Sequence, residues 1–82
     1  MEKLFHIDIL TQNEKLYSGP ASSLLVPCAL GYLGILANHA PLIANVLQGK
    51  ITLRKDTEEP LTLTSSGEGF LEVFQNNVTL LL

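Results

Sequence analysis

The sequence predicts an all-β domain, a sandwich or barrel of short antiparallel strands. Apolar residues recur at period two, as in Phe5, Ile7 and Ile9 or in Ile51 and Leu53. Turn signals recur about every eight to twelve residues, the spacing of sandwich and barrel strands. No stretch longer than about ten residues carries a helical period. The later turns lie close together, which predicts hairpins and therefore antiparallel pairing.

Leu4 to Leu10 alternates, with Phe5, Ile7 and Ile9 on one side and His6 and Asp8 on the other, the pattern of a half-buried strand. Gln12-Asn13-Glu14-Lys15 is a polar turn. Leu16-Tyr17-Ser18 resumes an extended segment, which Gly19-Pro20 is expected to stop. Ser22 to Pro27 is the next strand. Its centre, Leu24-Leu25-Val26, is apolar on both faces, as in a central strand or one whose outer face is covered.

Gly31 to Pro41 reads Gly-Tyr-Leu-Gly-Ile-Leu-Ala-Asn-His-Ala-Pro. Two glycines three apart let the backbone turn sharply, and Leu33, Ile35 and Leu36 supply an apolar inner side. A shaped loop is expected, either a connector between strands or a recognition loop, and local chemistry leaves both open.

Leu42 to Leu47 lies between Ala-Pro and Gln48-Gly49, too short a span for a stable helix, and is expected to be extended. Lys50 to Arg54 is the cleanest strand, with Ile51 and Leu53 facing in. Lys55 to Pro60 is an acidic, solvated hairpin end. Leu61 to Thr64 alternates again and leads into Ser65-Ser66-Gly67-Glu68-Gly69. Two glycines flanking one acid inside a strand pattern predict a bulge. Phe70 to Phe74 is a strand, and Gln75-Asn76-Asn77 is a hairpin turn because Asn tolerates the left-handed region. Val78 to Leu82 is a last strand.

At 82 residues the chain is one domain, small enough to lean on a partner. Its hydrophobic content of 46% suits a folded core, and its charged content of 16% leaves a lightly charged surface, as in a chain built into an assembly. The net charge is -3 and the five Lys and Arg are scattered. Binding to nucleic acid through phosphate neutralisation is therefore excluded. The single cysteine, Cys28, allows no internal disulfide, which fits a reducing compartment. The apolar runs fall far short of a membrane span, and the start shows no signal-peptide core before Asp8, so a cytosolic chain without membrane insertion is expected.

Chemistry-bearing residues are sparse. His6, His39 and Cys28 lack metal-ligand spacing. Cys28 with His39 could form a nucleophile and base, against the plainer reading of a buried small apolar residue. Glu58-Glu59 sits in the solvated turn. Gly31-x-x-Gly34 is no phosphate loop, because no Gly-Lys-Ser/Thr follows and no helix opens after it. Lys55 lies near a hairpin tip, but its flanks do not mark it as a carrier lysine. No cofactor, metal or catalytic residue is assigned.

Taken in order, several motifs carry a resemblance. They are Phe5-His6-Ile7-Asp8-Ile9-Leu10, Leu16-Tyr17-Ser18-Gly19, Val26-Pro27, Gly31-x-x-Gly34-Ile35-Leu36-x-x-His39-Ala40-Pro41-Leu42, Gly49, Gly69-Phe70-Leu71-Glu72-Val73 and Asn77-Val78-Thr79. Together they resemble the N-terminal domain of the epsilon subunit of F-type ATP synthase, called delta in mitochondria. The resemblance implies a flattened antiparallel β-sandwich of about ten short strands. It implies a non-catalytic central-stalk subunit that packs on the gamma subunit, rests on the c-ring loops and couples proton or sodium flow to ATP synthesis. That places it peripherally on the cytoplasmic face of a bacterial plasma membrane. A c-ring-facing loop is implied at Gly31, Tyr32, Gly34 and His39, and gamma contacts at Thr11, Ala44 and Ser66. The family commonly carries a C-terminal helical hairpin that inhibits hydrolysis and in some members binds ATP. Since the chain ends where that hairpin would begin, a single domain over 1–82 without it is expected.

The chain departs from the family pattern at Cys28, usually Gly, and at Ala29, Leu30 and Tyr32, where acids are usual. Glu68 stands as an extra residue between Gly67 and Gly69. The alternative function is a stand-alone β-sandwich adaptor that uses the same fold for another partner.

Overall fold

The computed structural model describes residues 3–56 and 58–82. Thr57, inside the expected acidic turn, and the first two residues of the start lie outside the described residues. Six strands follow in order: β1 (Phe5–Leu10), β2 (Lys15–Cys28), β3 (Gly31–Leu36), β4 (Leu42–Lys55), β5 (Leu61–Phe74) and β6 (Asn77–Leu81). Among the described residues there is no helix.

The strands hydrogen-bond in the order β1-β6-β5-β4-β2-β3, and β1 also pairs with β2. Five strands thus close a ring, and β3 is appended to β2. Alternation places Phe5, Ile7 and Ile9 of β1, Ile51 and Leu53 of β4, Leu71 and Val73 of β5, and Val78 and Leu80 of β6 in one shared core. These side chains are fully or almost fully buried.

Six strands replace the expected ten. The expected stops at Gly19-Pro20 and Gln48-Gly49 bend strands without ending them, and the expected bulge at Gly67-Glu68-Gly69 lies within one strand. β2, β4 and β5 each run 14 residues through these points. The first part of β2 pairs with β1, and its last part pairs with β3 and β4. β4 pairs with β5 from Leu42 to Leu53, interrupted only at the bulge, while only Thr52–Lys55 of β4 reaches β2. Each long strand thus does the work of two short ones, which is why period-two reading doubled them. Gly49 makes one corner possible. It sits at φ +150, and a Cβ there would lie 3.1 Å from the Pro27 ring and 3.2 Å from the Tyr32 hydroxyl.

Pairing is not wholly antiparallel either. β1 and β6 run parallel, with Ile7 opposite Val78 and Ile9 opposite Leu80. Closing the ring brings the first and last strands together in the same direction, which no hairpin rule could show.

The bulge appears where the glycines predict it. Val46 pairs with Gly69 and Gln48 with Ser66, so Gly67 and Glu68 oppose Leu47 alone. Glu68 is therefore absorbed as one unpaired residue, and the register holds on both sides. Gly67 adopts φ +105 and donates its N–H to the buried Ser65 hydroxyl at 3.1 Å. The Gln75-Asn76 turn also forms as expected, with φ of 48 and 62.

The expected loop from Gly31 to Pro41 is a strand over its first six residues. Leu33 and Ile35 alternate inward, and the whole run pairs with β2 from Cys28 to Ser23. Period two was present in it, but the glycines hid it.

Candidate functional site

The predicted contact residues separate into two ends and one groove. Gly31 begins β3 beside the hairpin tip, and Tyr32 and Gly34 follow on the exposed side of the strand. His39 lies beyond the other end of β3, in the turn before β4, where its backbone N–H donates to Leu36 O at 3.2 Å. Its Nδ1 lies 2.8 Å from Ala40 O. The four residues do not form one loop. About 17–20 Å of strand separates the two ends.

That separation also removes the Cys28–His39 pair. Cys28 pairs with Gly31 at the first end of β3, opposite the end that carries His39. Burial pushes the Cys28 thiol up, away from the thiolate a nucleophile needs. Among the described residues no group of three His, Cys, Asp or Glu could hold a metal ion.

Of the other predicted contacts, Thr11 caps the β1–β2 turn. Its hydroxyl accepts from the Glu14 N–H at 3.1 Å and from the Asn13 N–H at 3.3 Å. Ala44 is half-buried opposite Leu71, with β5 and β6 between it and β1. Ser66 is exposed beside the bulge.

Tyr32 and Ala44 meet in one place. A surface groove of about 440 Å³ lies between residues 28–33 and Leu42, Ala44, Asn45 and Leu47 of β4. Leu30 stands fully exposed at the hairpin tip, and Leu47 is exposed on the opposite wall. Tyr32, 55% exposed, rests its hydroxyl over the space that Gly49 leaves. Sequence reading noted Leu30 only as a departure from the family's acids and missed Leu47. For Leu30 the available signal was an aliphatic residue at a hairpin tip, where polar residues are usual.

A polar cluster on β1 and β2 was also missed. Ser18 lies directly opposite Asp8 and donates to its Oδ1 at 2.5 Å. His6 Nε2 is 3.3 Å and Lys15 Nζ 4.0 Å from the same carboxylate. The Ser18 hydrogen bond is the main cause that holds Asp8 below the usual carboxylate range; burial opposes it, and the His6 and Lys15 charges add to the lowering. A lowered folded-state value stabilises the protein above the unfolded value of about 3.9, and that contribution is lost as pH falls through the folded value. Ser18→Ala should therefore move the acid-unfolding midpoint to higher pH, followed by circular dichroism. An unchanged midpoint would remove Asp8 from the account of acid stability.

The sequence pattern of the ATP synthase delta/epsilon chain β-sandwich domain matches residues 4–82. The chain belongs to that family. Among delta/epsilon relatives, the ATP synthase epsilon chain of Nitrosomonas eutropha is 33% identical over 99% of this chain and 57% of the relative. The ATP synthase epsilon chain of Dichelobacter nodosus is 39% identical over 100% of this chain and 56% of the relative. The chain thus spans a little over half the length of these curated relatives. A solved chain from the Euglena gracilis mitochondrial ATP synthase OSCP/F1/c-ring assembly superposes with a TM-score of 0.87 over 95% of this chain and 49% of that one. At 19% identity that likeness speaks to the fold. Among the described residues of this delta/epsilon sandwich, no helix is long and apolar enough to cross a membrane.

Proposed function

We propose that the chain is the β-sandwich part of a non-catalytic rotor subunit of an F-type ATP synthase. It links the gamma subunit to the c-ring and couples proton or sodium flow to ATP synthesis. The observation that carries this reading is the family match over residues 4–82, together with relatives named as epsilon chains. The fold is consistent with a stalk role, since a ring of strands with a closed core is a rigid spacer. The setting is the cytoplasmic face of a bacterial plasma membrane, with attachment through partners.

In this reading Thr11, Ala44 and Ser66 serve the gamma contact. Gly31, Tyr32 and Gly34 serve the c-ring, and His39 shapes its turn through the Ala40 carbonyl. Where the family has acids, this chain offers Leu30 and the exposed Tyr32. An aromatic contact is screened little by salt, whereas exposed ion pairs are worth under about 1 kcal/mol and fade with it.

The test is complex formation with the cognate gamma subunit in gel filtration, followed by c-ring binding across a salt series. Co-elution and salt-tolerant c-ring binding that Tyr32→Ala weakens are the expected results. Failure to co-elute would leave the stand-alone adaptor as the better reading. If binding collapses with salt, or Tyr32→Ala changes nothing, the contact assigned to Tyr32 is wrong.

A further inference from the structure

Resting on the rotor reading for the partner, we infer that His39 is held as the Nδ1–H tautomer and offers its Nε2 as a hydrogen-bond acceptor to a donor group on the c-ring. Asn76, far away in sequence, is the positioning residue that holds the turn in which this tautomer is favoured.

The ring's own contact fixes the proton. His39 Nδ1 lies 2.8 Å from the Ala40 carbonyl oxygen, which can only accept. The hydrogen therefore sits on Nδ1, and in the neutral ring Nε2 keeps its lone pair. Ala40 precedes Pro41, whose ring confines Ala40 to extended backbone and so limits where that carbonyl can point. Among the described residues no ion pair reaches the His39 ring, since both of those present centre on Asp8. Its neighbours Ala37, Asn38, Ala40 and Pro41 bring no charge.

The turn beneath the ring is clamped from outside. It closes from the His39 N–H to Leu36 O at 3.2 Å, and Asn38, its third residue, sits at φ 62. A positive φ at that position is the type II requirement, which Asn meets. The Asn38 N–H then donates to Asn76 Oδ1 at 2.7 Å. Asn76 is itself tied to β1, through Nδ2 to Leu4 O at 2.9 Å and through its carbonyl to the His6 N–H at 3.1 Å. The His39 turn is thus registered against β1, not only against the two strands it joins.

This arrangement selects the chemistry of the partner. A bare acceptor nitrogen pairs with an N–H or O–H donor and repels a carbonyl or carboxylate oxygen, lone pair against lone pair. His6 shows the opposite case. Its Nε2 lies 3.3 Å from the Asp8 carboxylate, so its hydrogen belongs on Nε2. The chain's two histidines are therefore expected in opposite tautomers.

Long-range proton–nitrogen NMR at about pH 8.5, well above the ordinary imidazole value of about 6.5, reads both tautomers in one spectrum. His39→Gln and His6→Gln assign the signals. Wild type should show His39 protonated on Nδ1 and His6 on Nε2. Asn76→Gly, which keeps the backbone contact to His6, should move His39 toward the tautomer mixture of an unconstrained histidine and leave His6 in place. Binding to purified c-ring is measured in parallel. His39→Lys, which can only donate, should weaken it about tenfold, and His39→Gln, whose amide oxygen still accepts, should weaken it less. Circular dichroism confirms that each variant is folded.

A wild-type His39 protonated on Nε2 overturns the inference outright, without any variant or partner. A His39 signal that Asn76→Gly leaves unchanged removes Asn76 from its positioning role. If His39→Lys binds the c-ring as wild type does, or weakens binding to gamma instead, the assigned donor is wrong. Wild type that does not bind the c-ring at all sinks the rotor reading and the assigned partner together, while the NMR result still decides how the ring is held.

Discussion

Replacing Asn76 by alanine should cost the domain about 2–4 kcal/mol, a large part of the stability of a small protein. Asn76 holds three segments together. Its Oδ1 accepts from the Asn38 N–H at 2.7 Å, its Nδ2 donates to Leu4 O at 2.9 Å, and its carbonyl accepts from the His6 N–H at 3.1 Å. The β5–β6 turn thus clasps both the start of β1 and the turn that carries His39. Alanine would lose both side-chain hydrogen bonds, the part-buried one to the Leu4 carbonyl and the exposed one from the Asn38 N–H, and would also strain at φ 62, where a residue other than Gly or Asn costs about 1–2 kcal/mol. Asn76→Gly separates the two effects, because it relieves the backbone and loses only the side chain. Chemical denaturation should rank wild type above Asn76→Gly, and that above Asn76→Ala. Equal stability of all three would show that the clasp contributes nothing.

Leu71→Ala should cost about 2–5 kcal/mol, since it removes a fully buried side chain and leaves a cavity that neighbours fill only in part. Leu71 lies opposite Ala44 on β4 and Leu80 on β6, so the loss falls where three strands meet. Facing it across β4 is only an alanine, which cannot reach into the gap. Leu71→Ile, with the same volume, should cost under about 1.5 kcal/mol. A Leu71→Ala variant as stable as wild type in denaturant would mean that the core does not close around this position.

The fold class was legible because period two survives in the strands whose inner residues matter most. Phe5, Ile7 and Ile9, and likewise Ile51 and Leu53, read correctly and are buried. The turn at Gln75-Asn76 and the bulge at Gly67-Glu68 were legible because each has its own residue chemistry. The strand count was not. Gly19-Pro20 and Gln48-Gly49 have the chemistry of a stop, and only long-range pairing, Gly19 opposite Ile7 and Gly49 opposite Ser65, keeps the strands running through them. β3 was hidden for a related reason, because Gly31 and Gly34 interrupt an alternation that Leu33 and Ile35 keep. The parallel β1–β6 pair has no local signal at all.

The candidate site was less legible than the fold. Tyr32 and Ala44 were singled out for different partners, yet they share one groove. The turn at Asn38–Pro41 folds beneath Asn76 and sends β4 on its own path, leaving the groove between β4 and the β2–β3 hairpin. Leu47 escaped notice, and Leu30 was noted only as a departure from the family's acids, because an exposed leucine has no pattern of its own until its neighbours are known.

The three 14-residue strands also set how the domain bears load. In a sandwich of separate short strands, two layers joined mainly by side-chain packing can creep past one another under shear. Here β2, β4 and β5 turn the corners as unbroken main chain. Twisting one side of the body against the other would have to bend covalent backbone at Gly49 and Gly67 and break the β4–β5 ladder on either side of the bulge. A domain stitched in this way acts as a stiff coupling, with little backlash when the applied force reverses direction.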